Sequence, residues 1–71
     1  MRLSSDELAL LNAACADRNN VRAQELLNVL GTASADEIVR QIALLPKELQ
    51  ADIEVHLREA INEQKRRVRP R

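Results

Sequence analysis

PKELQADIEVHLREAINEQKRR, residues 46–67, is the longest stretch of this chain with uninterrupted helical periodicity. Leu49, Ile53, Leu57, Ala60 and Ile61 recur at three- and four-residue steps, which places them on one face of an α-helix. Such a face must be covered by the rest of the chain, and Ile53 at its centre is expected to be buried, so that Ile53→Asp would unfold the domain. About 22 helical residues span roughly 33 Å, the width of a small domain. Pro46 suits the first helical position, where its missing amide proton costs nothing and its fixed φ is already helical. His56 falls between Ile53 and Ala60 on the apolar stripe and reads as a partly buried core or interface histidine rather than a pH sensor.

Upstream, Ser34 and Glu37 make a capping-box pair, and Ile38, Ile42 and Leu45 share a face until Pro46 ends the helix. Before that, Ala23, Leu26, Leu27 and Leu30 form a short stripe stopped by Gly31, the chain's single glycine. Asp17-Arg18-Asn19-Asn20 is a turn by composition, and either asparagine can cap the helix after it. At the start, Ser4 and Glu7 make a first capping box, with Leu3 and Leu8 placed as a hydrophobic staple. Leu8, Leu11 and Cys15 continue as one stripe, while Leu10, Ala13 and Ala14 fall on another side that a single core does not explain.

The expected fold is all-α, a small four-helix bundle made of two helical hairpins. Its helices lie at about 5–17, 20–30, 35–45 and 46–67, with the longest C-terminal and short turns between antiparallel neighbours. Residues 1–64 make the helical domain and 65–71 a basic C-terminal extension. Shifting the chain by thirty residues superposes Ser4, Asp6 and Glu7 on Ser34, Asp36 and Glu37. That match is ordinary helix-start chemistry and weak evidence for a duplication.

With 71 residues and no Phe, Tyr or Trp, the core must be built from Leu, Ile, Val and Ala, close to the smallest size that is stable unaided. The lack of aromatics also disfavours a base-stacking platform. One cysteine leaves no internal disulfide, and no apolar run approaches a membrane span or a signal-peptide core. A reducing, cytoplasmic setting without membrane association is the expectation. No cofactor, metal or small-molecule substrate is implied: the chain has one histidine and no glycine-rich phosphate loop. Cys15 and His56 are the only conceivable nucleophile and base. Cys15 lies on an apolar stripe, where a thiol acts as a small hydrophobe.

Net charge is zero, but eleven acids and only six cations occupy residues 1–64, whereas KRRVRPR carries five cations and no acid. Cations at a helix C-terminus complement its dipole, and Glu63 and Arg67 are spaced to pair. Lys65, Arg66, Arg67, Arg69 and Arg71 also suit salt-sensitive contact with a polyanion. The segment from Leu26 to Arg40, LLNVLGTASADEIVR, has the outline of a helix-turn-helix. Asp36 and Glu37 would place carboxylates at the leading end of its second helix, which argues against DNA reading.

Leu10, Val21, Val29, Val39, Leu44 and Val55 remain outside the main stripes, and Val55 is ringed by Glu48, Asp52 and Glu59. Surplus apolar surface on so small a bundle points to an interface with a second copy or another protein. The function expected is a small non-enzymatic protein-binding adaptor or regulator that self-associates. Its protein-binding residues would be Leu10, Val29, Val39, Leu44, Val55, Asp52 and Glu59. The alternative is a nucleic-acid-associated regulator that uses the basic C-terminal segment.

Overall fold

The computed structural model describes residues 2–67, which form four α-helices: α1 (Ser5–Ala16), α2 (Val21–Leu30), α3 (Ala35–Ala43) and α4 (Lys47–Arg67). Two helical hairpins, α1–α2 and α3–α4, pack as one compact bundle with a radius of gyration of 11.4 Å. The 21-residue α4 is the brace. Contacts of Glu7 with Arg58 and Asp17 with Arg67 show α1 running parallel to α4, while Asn20 beside Gln64 and Val29 beside Ile53 show α2 running antiparallel to it. The shorter α3 touches all three other helices.

Local chemistry sets each boundary. Ser4 Oγ accepts from the Glu7 amide at 3.1 Å, and Glu7 Oε1 accepts from the Ser4 amide at 2.9 Å, so two orphan donors of α1 are satisfied reciprocally. The second box is offset by one residue: Ser34 caps the Glu37 amide, but the Glu37 carboxylate reaches back to the amide of Ala33. Of the two candidate asparagines, Asn20 caps α2 by accepting from the Ala23 amide at 3.2 Å. Gly31 adopts φ 66°, ψ 35°, and Thr32 N–H donates to the Leu27 carbonyl, closing α2 in a Schellman turn. Pro46 lies one residue before α4 rather than inside it, and its carbonyl accepts the first helical bond from Gln50. The Gln50 side chain also donates to the carbonyls of Leu45 and Ala43 at 2.9 and 3.3 Å, covering carbonyls at and just past the end of α3 that the elbow leaves without helical partners.

Leu11, Ala14, Ala23, Leu26, Ala35, Ile38, Ile42, Leu57, Ala60 and Ile61 form the core. Two expectations are corrected here. On α1, Ala14 joins Leu11 as fully buried and Leu10 is half-buried, whereas Leu8 and Cys15 are only half-buried. The reason is that α1 contacts all three other helices, so apolar residues on more than one side of it find cover, although Ala13 stays exposed. On α4, the buried residues are Leu57, Ala60, Ile61 and Gln64, all in the C-terminal half. Ile53 is half-buried, Leu49 is 49% exposed and the His56 side chain is 62% exposed, because the covering helices leave that side of the N-terminal half partly open.

Among the described residues, Asn20 and Gln64 are the buried polar ones, and half-buried Gln24, in the first turn of α2, is a further tie. Asn20, fully buried, donates through Nδ2 to the Ala60 carbonyl and to Gln64 Oε1, both at 3.1 Å. Gln24 Nε2 donates to the carbonyls of Cys15 and Asp17 near the end of α1. The α1–α2 turn is thereby tied to α4 and to itself with its buried polar groups paired, which is what makes their burial tolerable.

Candidate protein-binding surface

Among the described residues, five large apolar side chains stay exposed after the core closes: Leu44 (78%), Val29 (73%), Val21 (62%), Val55 (58%) and Leu49. They do not share one face. Val29 sits on the last turn of α2 and, with Leu26, Ile53, His56, Arg22 and Glu25, lines an open trough of about 320 Å³ between α2 and α4. Leu49 continues that wall, since it stands one helical turn before Ile53 and seven residues before His56. Val55 is one residue from His56, about 100° round the helix. It lines a separate shallow depression with Ala51, Glu54 and Arg58. Leu44 caps the C-terminus of α3.

The remaining residues singled out in the sequence fall elsewhere. Leu10 and Val39 are half-buried and pack against the core, so each offers only an edge to solvent. Leu10 borders a recess with Ser4, Ala9, Ile61, Asn62 and Lys65. Asp52 is exposed. Glu59 accepts a hydrogen bond from Arg22 at 2.7 Å and lies 3.8 Å from His56 Nδ1. Sequence reasoning missed the trough because Leu26, Val29 and Ile53 read as parts of two separate stripes. Only the antiparallel placement of α2 on α4 shows that their edges meet with space between them.

At the opposite end of α4, Lys65, Arg66 and Arg67 are exposed, while Arg69 and Arg71 lie outside the described residues. The expected Glu63–Arg67 pair is replaced: Arg67 Nε donates to Asp17 Oδ2 at 2.8 Å, and Glu63 stands 3.7 Å from Arg22. Arg18, exposed in the turn next to Asp17, is thereby brought to the basic end.

The titratable groups act as fasteners. The Ser4 amide, and then the Arg58 guanidinium, hold the Glu7 carboxyl below its ordinary range; the Asn19 amide, and then Arg67, do the same for Asp17. Burial pushes the Cys15 thiol up, the opposite of what a nucleophile needs. Both carboxylates favour the folded state above their ordinary pKa values and lose that contribution as pH falls through the lowered ones. Urea midpoints should therefore decline on acidification, and the decline should flatten in a Glu7→Gln, Asp17→Asn double variant. An unchanged slope in the double variant would assign acid sensitivity to other carboxylates.

Among the described residues no helix is long and apolar enough to cross a membrane, and no group of three or more His, Cys, Asp or Glu residues could hold a metal ion. No protein-family model, curated protein or solved structure matches the chain.

Proposed function

We propose that this chain is a small protein-binding adaptor or regulator without catalytic chemistry. The observation that carries this reading is the exposure of Val29, Leu44, Leu49 and Val55 on a domain of 71 residues whose core is already closed. Single exposed apolar residues are ordinary, but several large ones on so small a bundle, with Val29 beside a trough lined by Leu26 and Ile53, favour an interface. Self-association belongs to this reading through the outer face of α4. That face carries Val55, 58% exposed, in a shallow depression with Ala51, Glu54 and Arg58. Light scattering at micromolar concentration is expected to give a dimer that Val55→Asp weakens without loss of helicity. A monomer at every concentration tested would remove self-association. Failure to capture any protein would further weaken the adaptor reading.

The second reading, contact with nucleic acid, is favoured by the convergence of Arg18 with Lys65, Arg66 and Arg67 at one end of the molecule. Five cations in residues 65–71 would release condensed counterions on binding, so affinity for labelled duplex should fall steeply with salt and vanish when those residues are deleted. No binding at low salt would eliminate it.

A further inference from the structure

We infer that the trough between α2 and α4 receives one amphipathic helix from another protein, carrying long apolar side chains on one face and lysine or arginine beside them. This rests on the protein-binding reading and specifies its site and partner chemistry.

Shape comes first. The trough runs between two antiparallel helices, with Arg22, Leu26 and Val29 spaced four and three residues apart on one wall and Ile53 and His56 three apart on the other; Leu49 stands one helical turn before Ile53 on the same side of α4. Helical rows of this kind accept a third helix laid along them, anchored by side chains at positions i, i+3 or i+4, and i+7. A volume of about 320 Å³ holds a few leucine-sized side chains and is too small to enclose a folded element.

Charge selects the occupant. The trough's one cation, Arg22, is neutralised by Glu59 at 2.7 Å and approached by Glu63 at 3.7 Å. Glu25 lines the α2 wall, and Asp52, four residues before His56, lies on the neighbouring edge of α4. Neither has an ion-pair partner among the described residues. One satisfied cation thus stands among four carboxylates, and a helix flanked by cations complements that rim.

A second copy fits less well. Placing trough against trough opposes Glu25 and Asp52 to themselves or to each other, and like charges across an interface are costly.

The test uses the full chain and a labelled designed peptide of about 18 residues, five helical turns, with leucines on one face and lysines on the other. A twin peptide carries glutamates in place of the lysines. Anisotropy titration in about 0.1 M salt, where long-range attraction is screened, is expected to show saturable binding of the lysine peptide and at least about tenfold weaker binding of its twin. Val29→Arg should weaken the lysine peptide about tenfold or more, while Val55→Arg, the same charge change on the other side of α4, should change it less than about twofold. The double variant Glu25→Lys, Asp52→Lys should reverse the preference between the peptides. Circular dichroism of each variant confirms that its helices persist.

Equal weakening by Val29→Arg and Val55→Arg would reduce the effect to general attraction between opposite charges and overturn the site. Equal affinity for both peptides would overturn the charge selection. A dimer dissolved by Val29→Arg would show that a second copy covers the trough, and the inference would fall while the protein-binding reading stood. Retention of a captured partner by Val29→Arg would have the same meaning, whereas absence of both peptide binding and self-association would count against both.

Discussion

Asn20→Ala is expected to lower the unfolding free energy by about 2–4 kcal/mol, the sum of a lost helix cap and an unpaired buried amide. Asn20 is wholly buried; it accepts from the Ala23 amide and donates to the Ala60 carbonyl and Gln64 Oε1. Alanine removes all three links and leaves Gln64, 6% exposed, without its donor. For a domain this small, whose total stability is about 4–11 kcal/mol at typical per-residue values, such a loss is a large fraction. Asn20→Asp separates the roles, because it keeps the capping oxygen and replaces the donor with a carboxylate oxygen facing two acceptors. Burial and those acceptors disfavour its charged form and raise its folded pKa above the unfolded value. Its stability should therefore be greatest below the ordinary aspartate range and fall as pH rises, opposite in sign to the Glu7 and Asp17 contribution. Urea melts of the variants across that range decide the matter. A loss under about 0.5 kcal/mol for Asn20→Ala would show that solvent replaces the link at no cost.

Leu57→Asp is expected to abolish folding. Leu57 has no exposed surface and is among the largest fully buried side chains. Truncating such a leucine alone costs about 2–5 kcal/mol, and an unpaired buried carboxylate adds to that, so the sum reaches the whole stability. Ile53→Asp should be tolerated, with a loss of about 1–3 kcal/mol, because a side chain at that half-buried position turns its carboxylate into the trough and keeps its water. Far-UV circular dichroism should find Leu57→Asp unfolded and Ile53→Asp helical. The reverse would mean that α4 presents a different face to the core.

These two positions mark how far the sequence could be read. Helix boundaries were legible because their causes are local: Ser4 with Glu7, Asn20 or its neighbour before α2, Gly31 after it, Ser34 with Glu37, and Pro46 at the elbow. The inward face of α4 was legible only in its C-terminal half. Its stripe continues through Ile53 to Leu49, and nothing local says where the covering helices stop. For the same reason the stripe reads His56 as a partly buried core or interface residue, and its side chain is 62% exposed. The link from Asn20 to Gln64 was invisible because polar residues 44 positions apart carry no periodic signal. Arg67 has Asp17 rather than Glu63 as its partner because packing brings the α1–α2 turn within reach, a tertiary fact that helical spacing cannot supply. Among the candidate binding residues, Val29, Leu44 and Val55 were recognisable as misfits of their stripes, but their dispersal over separate faces depended on how the helices dock.

The confinement of α4's buried side chains to Leu57–Gln64 has a dynamic consequence. A single continuous helix with one anchored half should open unevenly: amides around residues 57–64 should exchange with deuterium only on global unfolding, and those in the first turns of α4 through cheaper local fraying. The pliable half is also the one that carries Leu49, Ile53 and His56. Occupation of that region would then register as slowed exchange before residue 57, leaving the anchored turns unchanged.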